Sequence, residues 1–414
     1  MNKGILAING GTPVRLNPMP KRNLFDKAEK DAVIKVMDES INSGDLFRYG
    51  GKYEREYISR FINFMGKKGF ADGVNSGTNA FFSALGALDL SPGSEVIVPA
   101  ITDVGGVSPV FFHSLIPVMA DVDQRSYNTC AEEIKPLITS KTKAIVVAHV
   151  AGDPVDINPI ITLANQYSLK VIEDCSQSHG AELEGKKVGT FGDISFFSTM
   201  SSKHHCTGGQ GGVVFSNSED LIIKSSMISD RGKVYHKEKF SGNSIVAGLN
   251  CNMDELSAAI GCVQIQKLPN IIDSTNYIGE LIKTELSKSS VVSSVGWQPK
   301  NTKCVYWFIR LKLDLSKISV DKKRFSDALA AEGILVSNEY RYTPFSQLWY
   351  KKALHSSCAI SNSRRQEILK QMKYTNVEKV LSEHINIFIR ENYSVQDVHD
   401  ILLAIDKVER AYKI

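Results

Sequence analysis

Short apolar runs alternate with helical apolar spacing through the middle of the chain. The runs predict strands at residues 96–98, 117–121, 144–148, 169–173, 194–197 and 213–215. Strands of this apolar character are expected to be buried on both faces. Between most of them, apolar residues recur every three or four positions, which predicts helices. Because strands and helices alternate, the pattern predicts an α/β fold with a mostly parallel, doubly wound sheet.

The segments on either side of this sheet have different patterns. Residues 1–25 contain glycines and prolines without periodicity, and they are predicted to form an arm over the surface. Helical spacing predicts further helices at residues 26–41, 53–64, 219–228, 253–266 and 270–287. Ser241-Gly242-Asn243 is expected to be a link. From these patterns we expect an arm, a large domain over residues 26–270 and a smaller C-terminal α+β domain over residues 271–414.

The composition is that of an ordinary globular protein. Hydrophobic residues make up 43% and charged residues 23% of the chain, and the net charge is +4 with the basic residues scattered. This pattern argues against a nucleic-acid partner or a membrane-surface role. The seven cysteines form no CxxC pair, and no apolar run approaches the roughly 18 residues of a membrane span. We therefore expect a cytoplasmic protein in a reducing compartment.

Three polar segments follow predicted strands. Ser76-Gly77-Thr78 precedes a helix, and the first N–H groups of a helix attract anions. Asp174 ends a buried strand, and the loop with Lys203 follows Ser198 at the end of another. Ligands bind beyond the carboxyl ends of the strands in such sheets, so the three segments are expected to share one crevice. Each segment also has an ordinary explanation, as an N-cap, a solvated strand end or a solvated lysine.

Together these residue types suit pyridoxal phosphate. We interpret Lys203 as the amine that forms a Schiff base with this cofactor and Ser198 as a ligand of its phosphate. A buried pocket lowers the pKa of a lysine by desolvation, as imine formation requires. Asp174 would be costly to bury without a cation, and a protonated pyridine nitrogen is such a partner. His204 and His205 have no third ligand at metal spacing, so no metal site is predicted.

With these residues in view, the chain resembles the DegT/DnrJ-type sugar aminotransferases. The resemblance runs from the N-terminal arm to the last helix and is strongest over residues 70–265. The family segments are matched by residues 76–78, by residues 117–122, by His149 with Gly152 and Asp156, by Glu173 and Asp174 with Gln177 and Gly180, and by Gly248 with Asn250 and Met253.

The resemblance implies the fold type I, aspartate-aminotransferase architecture with pyridoxal phosphate as the cofactor. Gly77 and Thr78 would bind its phosphate, Asp174 would pair with the ring nitrogen, and Gln177 would hydrogen-bond the ring hydroxyl. Asn250 would reach the phosphate of the neighbouring subunit, which implies a homodimer with shared active sites. The implied reaction moves an amino group from an amino acid, with glutamate as the expected donor, to a keto- or aldehyde-bearing sugar. Such products serve surface polysaccharide or amino-sugar biosynthesis.

The lysine position departs from the family pattern. Counting forward from Ser198 places Lys203 at the cofactor, whereas counting backward from the glycine turn at residues 208–212 places His204 there. Members with a histidine at this place are similar to the pyridoxamine-dependent sugar 3-dehydratases, in which the histidine acts as a base. The spacing from Ser198 favours Lys203, and the dehydratase stays as the alternative. A non-catalytic regulator on the same fold ranks last, because no DNA-binding segment or basic stripe is appended.

Three further positions depart from the family. Asp103 replaces the aromatic residue that stacks on the cofactor ring, and an acid cannot stack in that way. Asp103 is therefore a candidate either for binding a polar substrate group or for a role in the loop backbone. Arg341 stands where the family binds its sugar, and a guanidinium suits a carboxylate or a phosphate. Gln210 occupies the usual place of a glutamate in the glycine turn.

Overall fold

The computed structural model describes residues 4–236 and 239–414 of the chain. The helices are α1 (Lys27–Ser43), α2 (Lys52–Met65), α3 (Gly77–Ala87), α4 (Ser108–Phe112), α5 (Ala131–Ile134), α6 (Ile157–Gln166), α7 (Glu219–Ser229), α8 (Glu255–Leu286), α9 (Lys322–Ala331), α10 (Leu348–Ser356), α11 (Asn362–Gln371), α12 (Thr375–Glu383) and α13 (Val395–Tyr412). The strands are β1 (Phe70–Val74), β2 (Glu95–Pro99), β3 (Ile116–Ala120), β4 (Thr142–Ala148), β5 (Lys170–Asp174), β6 (Glu182–Leu183), β7 (Lys186–Lys187), β8 (Ile194–Ser198), β9 (Gly212–Ser216), β10 (Lys233–His236), β11 (Lys239–Ser244), β12 (Val292–Val295), β13 (Thr302–Lys303), β14 (Phe308–Leu313), β15 (Val336–Ser337) and β16 (His384–Phe388).

A seven-stranded sheet in the order β1-β9-β8-β5-β4-β2-β3 forms the centre of the fold. Its strands from β8 to β3 are parallel, whereas β9 runs antiparallel to both of its neighbours. Strands β2, β3 and β9 are buried along their whole length, as their continuous apolar runs predicted. The predicted α/β fold with a mostly parallel sheet is therefore confirmed.

A second sheet builds the C-terminal part of the protein. Strands β12, β14, β16 and β15 pair in that order and are antiparallel throughout. The last turns of α8, together with α9 and α13, contribute apolar side chains to the hydrophobic cluster at this sheet. Ser394 and Asp397 form a capping box that begins α13, so this helix start follows directly from local sequence.

Helix α8 connects the two hydrophobic cores. The sequence predicts two helices in this region, but residues Glu255–Leu286 form one helix with Pro269 inside it. Ala258 and Ile265 pack in the cluster beside the large sheet, whereas Ile282 packs in the C-terminal cluster. Apolar contacts on both sides of the proline keep the helix continuous despite the lost backbone hydrogen bond. The domain boundary at residue 270 stays a prediction, and it falls within this helix.

Two other regions differ from the predicted elements. Residues 241–243, predicted as a link, lie within β11, which pairs with β10. Helices α10, α11 and α12 lie where no element was predicted, and they pack on the same cluster as the large sheet. The pattern failed there because each helix buries few residues, with Ile368 the buried residue of α11. None of the helices in the described part of the chain combines the length and apolar character needed to cross a membrane.

Candidate active site

Asp174 ends the central strand β5 at the carboxyl edge of the parallel sheet. Its side chain is buried, and its Oδ1 accepts a hydrogen bond from the backbone N–H of Ser176 at 3.0 Å. The Thr102 hydroxyl lies 3.5 Å from Oδ2. Burial raises the pKa of the Asp174 carboxyl, and the hydrogen bond from Ser176 opposes that rise. A cation in contact with this carboxyl would favour its ionised form.

Ser198 and Gly77 form a narrow cradle beside Asp174. Ser198 ends β8, the strand next to β5. A Cβ added at Gly77 would lie 2.5 Å from the Cβ of Ser198, so the approach requires glycine. Helix α3 begins at Gly77, and the Ser76 hydroxyl accepts from the Asn79 N–H at 3.1 Å. The cradle therefore combines a hydroxyl with the N–H groups of a helix start, which are usual donors to a phosphate.

Thr78 and Asp103 lie on either side of a tight turn. The Asp103 carboxylate caps a 3₁₀ turn at Val104–Gly106 by accepting from the Gly105 N–H at 2.8 Å. A Cβ at Gly105 would lie 2.4 Å from Thr78 Oγ1, so the turn packs closely on the start of α3. Residues 104–112 therefore form this turn followed by the short α4. Asp103 thus has a role in the loop backbone, which is one of the two roles predicted for it. Its side chain is exposed.

Lys203 lies in the loop between β8 and β9, with its side chain buried in the crevice. Its Nζ lies 4.3 Å from the centre of the Trp307 ring. Burial lowers the pKa of the Lys203 amine, and the negative charges of Asp174 and Asp103 oppose this effect. The amine and both acids thus form one electrostatic cluster at the sheet edge. The sequence pattern singled out the lysine and the acids but not Trp307.

His204 and His205 belong to different hydrogen-bond networks. His204 Nε2 lies 2.9 Å from the carbonyl oxygen of Val305, and burial lowers the pKa of its ring to about 3. His205 lies between two other side chains, with Nε2 at 2.9 Å from the Tyr57 hydroxyl and Nδ1 at 2.9 Å from His179 Nδ1. Desolvation also lowers the pKa of His205 to about 3. Both rings are therefore neutral and fixed in the protein interior.

Gln177 is held at both ends of its amide. Its Oε1 accepts from the Ala151 N–H at 2.9 Å, and its Nε2 donates to the Tyr340 hydroxyl at 3.0 Å. Tyr340 is buried, and burial raises the pKa of its hydroxyl. The second hydrogen of Nε2 is available for a ligand in the crevice. The sequence pattern singled out the adjacent Arg341 but not Tyr340, so its contact with Gln177 could not be predicted.

The turn that contacts Gln177 has an unusual backbone. Ala151 and Gly152 both have left-handed φ angles, 66° and 85°. The Val305 N–H donates to the Gly152 carbonyl at 3.1 Å, and the Trp307 N–H donates to the Ala151 carbonyl at 3.0 Å. A Cβ at Gly152 would lie 1.8 Å from the Val305 carbonyl oxygen, which explains the glycine. The turn therefore links Gln177 with the segment that carries Trp307.

His149 and Glu173, two residues of the matched motifs, brace the floor of the site. The His149 Nε2 lies 3.2 Å from Glu173 Oε2, and the same carboxylate accepts backbone N–H groups of Gly189, Phe191 and Gly192. Its acceptor capacity is used by these bonds, so the pair has a structural role that holds strand β5 to the following loop.

Arg341 and Asn250 lie outside the cluster around Lys203. Arg341 is exposed, and the carbonyl of the next residue, Tyr342, accepts from the Thr102 N–H at 3.2 Å. This contact places Arg341 at the rim of the crevice near Asp174. The Asn250 side chain is on the surface, where its Oδ1 accepts from Asn252 at 2.8 Å.

The donors in the crevice fit pyridoxal phosphate. The Ser198 hydroxyl and the N–H groups of Gly77 and Thr78 are suitable hydrogen-bond donors to a phosphate. The cradle leaves no room for a side chain at Gly77. No salt bridge among the described residues involves the buried Asp174 carboxyl, so it can pair with a pyridinium nitrogen. The Lys203 amine, with its lowered pKa, suits an aldehyde.

Comparison with known proteins agrees with this chemistry. The sequence profile of the DegT/DnrJ/EryC1/StrS aminotransferase family matches residues 27–403. The GDP-perosamine synthase of Vibrio cholerae is 35% identical over 280 residues, which cover 68% of this chain and 74% of the relative. The UDP-N-acetyl-3-dehydro-alpha-D-glucosamine 3-aminotransferase of Acidithiobacillus ferrooxidans is 40% identical over 199 residues, which cover 47% of this chain and 52% of the relative.

The fold agrees as well. The crystal structure of an aminotransferase from Psychrobacter cryohalolentis superposes with a TM-score of 0.81 at 24% identity, and the match covers 95% of this chain and 99% of the other. The predicted resemblance and the fold type I architecture are confirmed, as is the prediction of a sugar aminotransferase with pyridoxal phosphate as its cofactor. The chain belongs to the DegT/DnrJ/EryC1/StrS aminotransferase family.

Proposed function

We propose that Lys203 carries pyridoxal phosphate covalently and that the protein moves an amino group from glutamate to a ketone of a nucleotide-linked sugar. The observation that supports this most is the Lys203 amine, which is buried beside Asp174 and has a lowered pKa. Its rival His204 already uses Nε2 in a hydrogen bond to the Val305 carbonyl. A lysine at this place favours amino transfer over dehydration.

Five residues around Lys203 would hold the cofactor. Its phosphate would contact Ser198, Gly77 and Thr78, where the start of α3 adds partial positive charge. Asp174 would pair with the ring nitrogen, and the free hydrogen of Gln177 Nε2 would bind the ring hydroxyl. Bound pyridoxal phosphate supplies an aldehyde that exchanges amines and a ring that withdraws electrons from the reacting carbon.

Lys203 would also move the proton that amino transfer requires. Because burial lowers the pKa of its amine, the neutral form is more populated near neutral pH than for an exposed lysine. A neutral amine can accept a proton from the substrate carbon and return it to another carbon. Trp307, 4.3 Å from Nζ, confines the amine to one side of the crevice.

The substrate proposal draws on the names of the two relatives. One is a GDP-perosamine synthase and the other an aminotransferase of a UDP-linked sugar. Both names contain a sugar with a nucleoside diphosphate, and we propose the same class of substrate for this chain. Arg341 at the rim suits the diphosphate or the carboxylate of glutamate. Asp103, whose negative charge acts on the Lys203 amine together with that of Asp174, suits a sugar hydroxyl.

A trapping experiment tests the role of Lys203. Protein purified with pyridoxal phosphate is reduced with borohydride, digested and mapped by mass spectrometry, and the added mass is expected on Lys203. Lys203→Ala is expected to remove the adduct and the formation of 2-oxoglutarate from glutamate with a keto-sugar nucleotide. His204→Gln is the matched neighbour and is expected to keep both. If Lys203→Ala stays active and His204→Gln loses water elimination from the sugar, the enzyme is instead a dehydratase.

A homodimer with shared sites is part of the proposal. The Asn250 side chain is on the surface of its own chain, as expected of a residue that contacts the phosphate in a neighbouring subunit. Mixing Lys203→Ala with Asn250→Ala protein tests this, because a mixed dimer contains one intact site. Activity that exceeds the sum of the two variants supports sharing, whereas a monomer by light scattering refutes it.

The proposed cellular location rests on the absence of disulfides among the cysteines of the described residues. All seven are free thiols, and Cys175, Cys206, Cys251, Cys262 and Cys304 are buried. Burial of unpaired thiols suits a reducing compartment, so we propose the cytoplasm, where sugar nucleotides for amino-sugar or surface polysaccharide biosynthesis are available. Retention of activity in a reducing buffer and no disulfide in protein from intact cells would agree.

A further inference from the structure

We propose that Arg22, in the N-terminal arm, is a positioning residue that fixes the backbone on both sides of Lys203. The inference rests on the proposed role of Lys203 as the residue that carries the cofactor. Arg22 is far from Lys203 in sequence, and neither the motif analysis nor the family match assigns it a role.

The guanidinium of Arg22 meets three successive carbonyl groups of the lysine loop. Its Nη1 donates to the carbonyl of Ser202 at 2.7 Å and to the carbonyl of Lys203 at 2.6 Å. Its Nη2 donates to the carbonyl of His204 at 3.2 Å. On the other side of the loop, the Lys203 N–H donates to the Met200 carbonyl at 2.9 Å. The peptide groups before and after the Lys203 Cα are thus both held, and they determine where its side chain begins.

The third nitrogen of Arg22, Nε, anchors the side chain to the C-terminal part of the protein. Its Nε lies 3.0 Å from Glu391 Oε2, and both side chains are mostly buried, with exposed fractions of 20% and 14%. Because the Glu391 carboxylate balances the charge, Arg22 acts on the loop through directed hydrogen bonds more than through a net field. Lysine cannot reproduce this arrangement, since its single ammonium lacks the planar fork.

The arm around Arg22 is itself fixed. Arg390 donates to the carbonyl of Pro20 at 3.1 Å, and Asn392 donates to the carbonyl of Lys21 at 2.8 Å. Gln264 of α8 donates to the carbonyl of Leu24 at 2.9 Å. The Leu24 side chain packs in a small cluster with Cys206 of the same lysine loop. Arg22 therefore extends to the loop from a segment that several hydrogen bonds hold in place.

The consequence is a specific effect on the Lys203 amine. Without Arg22, three carbonyls lose their shared donor, and the loop can shift relative to Asp174 and Trp307. The amine then moves relative to the carboxylates of Asp174 and Asp103. The pH at which the lysine-bound cofactor titrates therefore changes. Substrate binding depends on other residues, so the loss is expected in kcat more than in the KM for the sugar.

The test compares Arg22→Ala and Arg22→Lys with Arg15→Ala in the holoenzyme. Arg15 is the matched control, because it lies in the same arm and pairs with Asp397 at 2.6 Å and Asp400 at 2.8 Å, away from the loop. We expect Arg22→Ala to lower kcat about tenfold or more, which corresponds to 1.36 kcal/mol. We also expect the midpoint of the cofactor absorbance titration to shift by at least about half a pH unit.

Arg22→Lys is expected to give an intermediate shift, and Arg15→Ala is expected to keep the wild-type midpoint even if it lowers the melting temperature. A wild-type midpoint and kcat in both Arg22 variants would overturn the inference. If Arg22→Ala does not fold, Arg22→Lys decides by the same readout. Absence of a borohydride adduct on Lys203 in the wild-type protein would instead overturn the proposed function itself, so the two failures are distinguishable.

Discussion

A buried ion pair joins the C-terminal sheet to the turn that holds Gln177, and its removal gives a sharp test of the structure. Arg310 of β14 donates from Nε to Asp153 Oδ2 at 3.0 Å and also from Nη2. The two side chains are only 1% and 2% exposed. Asp153 also accepts from Gln298 at 3.0 Å, so its carboxylate is fully engaged.

The expected loss of stability depends on whether a substitution leaves a buried charge without its partner. Arg310→Met leaves the Asp153 carboxylate buried without its cation, which costs about 3–5 kcal/mol in comparable pairs. For a chain of this length, an unfolding entropy of roughly 2.1 cal/mol/K per residue converts that loss to a fall in melting temperature of about 3–6 °C. Replacing both partners, as in Arg310→Met with Asp153→Leu, removes the charge as well as the pair, so most of the loss should be regained.

The assay is thermal unfolding of the two single variants and the double variant at one pH, without added cofactor. Recovery in the double variant would show that the penalty comes from the unpaired charge. A double variant whose loss equals the sum of the two single losses would refute this reasoning. A fall of less than about 1 °C for Arg310→Met would also refute it, because the pair would then behave like an exposed one.

Two further outcomes are expected. Gly152→Ala should lower the free energy of unfolding by more than about 3 kcal/mol, measured by chemical denaturation, because the new Cβ would lie 1.8 Å from the Val305 carbonyl oxygen. Wild-type stability should fall as the pH drops below 6.5, because His205 has a pKa of about 3 when folded and 6.5 when unfolded, so the unfolded chain binds the extra proton. His205→Gln should make this fall shallower by up to about 1.4 kcal/mol per pH unit.

Each of these outcomes has its own control. Gly209→Ala should be nearly neutral, since a Cβ there would have no neighbour within 4 Å. An equal loss in Gly209→Ala and Gly152→Ala would mean that the clash with Val305 is not the cause. For the histidine, stability curves of wild type and His205→Gln that stay parallel between pH 7 and pH 4 would contradict the assigned protonation.

The main features of the site could be predicted because their residues end strands of one sheet. Asp174, Ser198 and the start of α3 all lie at the carboxyl edge of the sheet, so strand order alone brings them together. Counting residues could not decide between Lys203 and His204. That choice depends on where the loop places each side chain, and the Val305 carbonyl that binds His204 is distant in the sequence.

Other features could not be predicted from the sequence because they also depend on tertiary contacts. Trp307 contacts Lys203 only because its segment pairs with the left-handed turn at Ala151, a tertiary contact without a sequence signal. Arg22 lies in an arm without periodicity, and its three carbonyl partners are backbone atoms that any residue would provide. Helices α10, α11 and α12 were not predicted because each buries only one or two side chains against the large core.

The proline within α8 leaves one point of the helix without a backbone hydrogen bond. Pro269 has no N–H, so the carbonyl of Ile265 lacks its partner in the helical ladder, and the helix bends most easily at this point. Ile265 before the proline and Ile272 after it both pack in the cluster beside the large sheet, whereas Ile282 packs in the C-terminal cluster. Packing on both sides of the proline opposes a bend there, so α8 ties the C-terminal sheet to the core beside the large sheet.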